Sequence, residues 1–198
     1  MMIAKQKCYS RDEYLALEEK AEFRSEYLNG EIVGMAGASF SHVQLIFNLS
    51  LHLGNQLKGR GCKSFVNDLR VYIPECSRYY YPDFGVVCGT PHLEKIRGMQ
   101  NLLNPTLILE VLSQSTEHHD RGDKLECYRT LPSLQYYLLV SQDRAFVEVY
   151  SRMHSQLWSY ETYTGKTAVF ALEKIGCTLD LASVYEEIEV SDAPCPLP

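Results

Sequence analysis

The chain has 198 residues, of which 45% are hydrophobic and 22% charged, the balance of a globular domain with room for a sizeable core. Its net charge of -6 argues against non-specific coating of nucleic acid, because long-range steering toward phosphate would be unfavourable. A nuclease is not excluded, since a bound metal partly neutralises an acidic site. No stretch approaches the ~20 apolar residues of a membrane span, and Met1 to Lys7 lacks the apolar segment of a secretory leader, which points to the cytoplasm and away from a membrane. The seven cysteines are scattered without a C-x-x-C pair, so they read as reduced, half-buried thiols.

In chain order, Ser10-Arg11-Asp12-Glu13 is a capping box that opens a helix with Tyr14, Leu17 and Ala21 on one face, fading near Arg24. Asn29-Gly30 between apolar runs predicts a hairpin. A loop with Gly34, Gly37 and Ser39 leads to a second helix, roughly Ser41 to Lys58, with Val43, Ile46, Phe47 and Leu57 near one side. Lys63 to Ile73, Tyr79 to Val87, Thr106 to Leu112 and Tyr136 to Val140 read as strands, with a long charged loop from Gly89 to Asn104. Asp120 is a plausible N-cap of a short helix ending before Pro132. Ala145 to Leu172 reads as a meander, followed by a last strand or helical turn over Thr178 to Tyr185. The order predicts a mixed α/β domain over residues 1–190 with one central sheet, and a Pro-rich, loose tail at 191–198.

Two carboxylates stand inside strands that should be buried: Asp83 in Tyr79-Tyr80-Tyr81-Pro82-Asp83-Phe84-Gly85-Val86-Val87, and Glu110 in Leu107-Ile108-Leu109-Glu110-Val111-Leu112. An ionised carboxylate there costs several kcal/mol unless paired, hydrogen-bonded or metal-bound. The pair suits a hard divalent cation such as Mg²⁺; the alternative is a structural carboxylate paired with an arginine such as Arg70. Lys124 shares a stripe with Tyr128 and Leu131, the face that should bury; it either snorkels to solvent or pairs with Asp120, or it points at the acidic strands. Glu26 ends the first helix and precedes the hairpin, and His42 lies in the first turn of the second helix; each alone reads more readily as structural than as functional. His118-His119 is a polar-loop pair, and Lys58, Arg60 and Lys63 a solvated cluster or a phosphate contact.

Together, Tyr81-Pro82-Asp83, Ile108-Leu109-Glu110-Val111-Leu112-Ser113-Gln114-Ser115-Thr116, Asp120-Arg121-Gly122-Asp123-Lys124, Glu26-Tyr27-Leu28-Asn29-Gly30-Glu31-Ile32 and Ser41-His42 resemble the Uma-two family of endonucleases, in the PD-(D/E)xK, restriction-endonuclease-like superfamily. The likeness runs from about Glu13 to Glu187. It implies a mixed sheet flanked by helices, with an antiparallel meander at the C-terminal end. It implies Asp83 and Glu110 as ligands to Mg²⁺, or Mn²⁺, with the Val111 carbonyl; Glu26 as a further acidic residue; His42 facing the site; and DNA as substrate. The superfamily's simplest form has a lysine two residues after the glutamate, where this chain has Leu112, so the resemblance transfers that role to Lys124. A homodimer follows from the tyrosine-rich surface and the need to cut two strands. The alternative is a catalytically weak or inactive nuclease-fold protein that binds nucleic acid or a protein partner.

Overall fold

The computed structural model describes residues 7–35 and 37–190; the tail at 191–198 lies outside the described residues. Ser10 accepts from the Glu13 amide while Glu13 reaches back to the Ser10 amide, and this box starts α1 (Arg11–Glu18). The helix is shorter than its sequence suggests and buries Tyr14, Leu15 and Glu18, while Leu17 is exposed. β1 (Ser25–Leu28) and β2 (Glu31–Gly34) form the expected hairpin, turning on Asn29 and Gly30 at positive φ. α2 (Phe40–Leu57) is capped by the Ser39 side chain and ends before Gly59. It buries Ile46 and Leu57 as expected, together with Leu45, Leu49 and Leu53, while Val43 and Phe47 turn outward.

Lys63 to Ile73 is two strands, β3 (Cys62–Val66) and β4 (Arg70–Ile73), broken at Asn67, which has positive φ. Tyr79 to Val87 is likewise split, into β5 (Arg78–Tyr80) and β6 (Phe84–Cys88), because Pro82 lacks the amide that a continued ladder requires. The charged segment after Gly89 is a hairpin of β7 (Leu93–Ile96) and β8 (Met99–Leu102), turning on Arg97 and Gly98 at positive φ. β9 (Leu107–Leu112) runs parallel to β10 (Tyr136–Ser141). The crossover between them is an irregular helix: α3 (Glu117–His119), a π turn over Asp120–Lys124 broken at Gly122, and α4 (Leu125–Arg129). β11 (Phe146–Arg152) and β12 (Trp158–Thr164) extend the sheet as an antiparallel meander. β13 (Val169–Leu172) pairs instead with β14 (Cys177–Asp180), ahead of α5 (Leu181–Val184).

The expected single sheet is therefore two six-stranded sheets plus a hairpin. The first runs β2-β1-β5-β4-β8-β7 and the second β12-β11-β10-β9-β6-β3. Side chains alternate across β9. Leu107, Leu109 and Val111 join Leu45, Leu49 and Leu53 of α2 on one face. Ile108 and Leu112 join Leu125 and Tyr128 of α4, and Val71 and Tyr80 of the first sheet, on the other. Tyr14, Leu15, Tyr27 and Tyr79 form a smaller tyrosine-rich core under α1. The expectation of reduced thiols holds for Cys8 and Cys177 and is corrected for four others: disulfides join Cys62 to Cys88 across β3 and β6, and Cys76 to Cys127 on α4. These partners are 26 and 51 residues apart, brought together by strand register and helix packing rather than by spacing. Among the described residues no helix is long and apolar enough to cross a membrane.

Candidate active site

The register of β6 against β9 pairs Phe84 with Leu109 and Gly85 with Ile108, so the next residue back, Asp83, falls opposite Glu110. Asp83 sits where the chain leaves the first sheet at Tyr80 and enters the second at Phe84. Its Oδ2 accepts from the Val111 amide at 2.7 Å and its Oδ1 lies 3.2 Å from His42 Nε2, while its own amide donates to Glu110 Oε2 at 3.3 Å. Asp83 is half-buried; Glu110 is only 3% exposed. Val111 thus meets Asp83 through its N–H.

Lys124 reaches this rim from the π turn. Its Nζ lies 3.0 Å from Glu110 Oε1, 3.2 Å from Glu26 Oε1 and 3.4 Å from Asp120 Oδ1, and 5.3 Å from the centre of the Tyr80 ring. The lysine is 5% exposed, so it does not snorkel to solvent. Burial works against its charge, but Glu110, Glu26 and Asp120 together outweigh burial and hold the ammonium well above its ordinary range. For Glu110, burial dominates and raises the carboxyl well above the carboxylate range; Lys124 opposes the shift, while Asp83, Asp120 and Glu26 add to it. Burial also lifts the phenols of Tyr80 and Tyr81 to about 12 and pushes that of Tyr128 well above its ordinary range, leaving all three neutral near pH 7.

Glu26 comes in on β1, from the first sheet, and its Oε1 also accepts from the Tyr81 amide at 3.1 Å. Tyr81 is held at its other end by its hydroxyl, which donates to buried Glu18 at 3.0 Å. The Tyr81-Pro82-Asp83 segment is thereby fixed from both sides.

Asp83, Glu110, Lys124, Glu26 and His42 are brought together. Asp120 is not an N-cap but a buried carboxylate on Lys124, one turn away, which the sequence discloses only through that spacing. Tyr128 is legible as core; its buried hydroxyl has no hydrogen-bond partner among the described residues. Lys58 and Arg60 follow the far end of α2, more than about 20 Å along the helix from His42 at ~1.5 Å per residue, and Lys63 lies on β3 opposite Val87, four positions along β6 from Asp83. His119 is not a surface residue throughout, since its Nε2 is buried and its ring meets Tyr80 edge-on.

Among the described residues no three or more His, Cys, Asp or Glu side chains converge as a ready cation cage. Mg²⁺ needs less: one or two carboxylates, with water completing its shell. The hard oxygen donors of Asp83 and Glu110, adjacent at a half-buried rim, fit that demand. Val111's carbonyl belongs to the same strand end.

A sequence model of the Uma2 family, described as "putative restriction endonuclease", matches residues 11–182. Two uncharacterised proteins of Synechocystis sp. are similar to this chain. One is 39% identical over 168 residues, 85% of this chain and 94% of its own length; the other is 34% identical over 176 residues, 89% and 90%. A crystal structure from Anabaena variabilis, described as a putative nuclease belonging to DUF820, superposes with a TM-score of 0.71 at 20% identity, covering 88% of this chain and 96% of that one. At that identity the superposition speaks to the fold. The family match spans nearly all of the two sheets and every residue of the acidic rim, and the chain belongs to the Uma2 family, described as putative restriction endonucleases.

Proposed function

We propose that the protein is a metal-dependent DNA endonuclease that hydrolyses phosphodiester bonds at the rim where Asp83 meets Glu110. The observation that carries this reading is the route by which a cation reaches Glu110. Leu112, at the position two residues on, is packed in the apolar core and holds no charge there. Lys124 arrives instead from the crossover helix and stands 3.0 Å from Glu110.

Asp83 and Glu110, with the Val111 carbonyl, would hold a divalent cation of the Mg²⁺ or Mn²⁺ kind. Such an ion polarises phosphate and acidifies a bound water. The rest is work for the chain. Three carboxylates keep Lys124 protonated, so its ammonium acts as a fixed donor and not as a base. It stabilises charge that grows on a phosphate oxygen and steadies a water beside Glu110. Glu26, sharing Lys124 with Glu110, orients that water. His42 fixes the Oδ1 edge of Asp83. A homodimer belongs to the same reading, because two sites about a two-fold axis serve the two strands of a duplex.

The non-cutting alternative has one observation in its favour: all of Lys124's ion pairs are internal, to Glu26, Glu110 and Asp120. Supercoiled plasmid separates the readings. Nicking with Mg²⁺ or Mn²⁺, stopped by EDTA and by Asp83→Ala, is the expected result. Intact plasmid under every metal, together with DNA binding unaffected by Asp83→Ala, would establish a binding protein.

A further inference from the structure

The side of α2 turned away from the core is apolar. Phe40 is 82% exposed, Val43 54%, Phe47 58% and Leu51 56%. Their spacings of three and four residues align them in one stripe. With side-chain areas of roughly 150–200 Å², the stripe exposes on the order of 450 Å² of apolar surface, within the roughly 300–600 Å² of a monomer's largest patch, which is often functional. The whole helix, FSHVQLIFNLSLHLGNQL, contains no Asp, Glu, Lys or Arg. That is unusual for an exposed helix in a chain that is 22% charged.

We infer that this stripe is a homodimer interface, in which α2 packs antiparallel against α2 of a second copy about a two-fold axis. Three features favour a second copy over any other occupant. Two copies of a chain of net charge -6 repel over most of their surfaces, and α2 is a face on which they meet without opposed charges. The stripe is self-complementary: Phe40 falls opposite Leu51 of the partner subunit and Val43 opposite Phe47 of the partner subunit, larger side chains against smaller. The antiparallel arrangement also sets the two helix dipoles against each other favourably. Pairing the two stripes buries about 900 Å² before flanking residues are counted, close to the ~1,000 Å² expected of a specific interface. The absence of basic residues on the helix disfavours DNA as the occupant.

Sedimentation at tens of micromolar protein tests the interface without reference to cleavage. The wild-type chain should show a mass near twice 22.7 kDa. Val43→Glu and Phe47→Lys should each be monomeric with an unchanged circular dichroism spectrum, because neither side chain is in the core. Mixing the two variants should restore a dimer, since antiparallel pairing sets the new glutamate against the new lysine. A wild-type monomer, or a Phe47→Lys dimer, would overturn the inference; parallel pairing would show as two variants that fail to combine. Each of these results is independent of whether plasmid is cut.

Discussion

Lys124 carries one charge among three buried carboxylates. Replacing it by Met retains the packing of the stem and removes the ammonium. Loss of one preorganised donor of this type costs about 10²–10³ in rate, which steady-state nicking would read. Stability also suffers, by about 3–5 kcal/mol near neutral pH, because the acids lose their partner. The pH dependence of that loss has a definite sign. Removing Lys124 removes the influence that lowers Glu110, whose carboxyl already lies above its unfolded value. The folded variant therefore binds more protons than the unfolded chain, and its stability falls as pH rises. Urea titrations should show the gap between Lys124→Met and wild type narrowing from pH 7 to pH 5; a gap that is constant or widens on acidification would refute the charge cluster. Asp83, Glu110 and Lys124 were legible in the sequence because each is a charge where apolar residues were due. Glu26 and His42 carried no such mark, since a hairpin and a helix start deliver them from distant segments; only the family resemblance picked them out.

At the scale of elements, local chemistry was readable and long-range pairing was not. The Ser10–Glu13 box and the Asn29-Gly30 turn form as written, because both depend on neighbouring residues alone. Of the α2 residues that the sequence places near one side, Ile46 and Leu57 are buried while Val43 and Phe47, equally apolar, turn outward. The β7–β8 hairpin was missed because Arg97 takes up a positive φ that favours glycine or asparagine. Asp180 offers an element-scale test. Its side chain accepts from the Ser183 amide at 2.8 Å, capping α5, and lies 3.0 Å from His52 on α2. Burial pushes its carboxyl up, but the bonds from Ser183 and the pairing with His52 outweigh that and leave it below the ordinary range. The contribution is present above the unfolded carboxyl's titration and lost as pH falls through the folded one. Asp180→Ala should cost about 1 kcal/mol at pH 7, the usual worth of an N-cap, and less at strongly acid pH. An equal loss at both pH values would show that packing, not capping, is what the residue provides.

Across the whole molecule, the acidic rim draws on four bodies. Glu26 comes with the first sheet, Glu110 and Val111 with the second, His42 with α2, and Lys124 with the crossover helix. The mixed α/β class was legible from the order of predicted elements, while the division into two sheets was not, because a strand shows its own pattern and not its partner's.

Asp83 is held opposite Glu110 by the ladder of the second sheet, whereas Glu26 arrives from the first sheet, across the step at Pro82, so it is Glu26's place beside Lys124 that depends on how the sheets dock. Cooperative units in a protein open at different free energies, and contacts between units loosen before the units themselves melt. On warming, the contact between the sheets should give way first, drawing Glu26 from Lys124 while both ladders stay intact. Nicking activity should then disappear several degrees below the transition seen by far-ultraviolet circular dichroism, and return on cooling from that interval. Coincident curves would mean that the sheets and the rim between them melt as one unit.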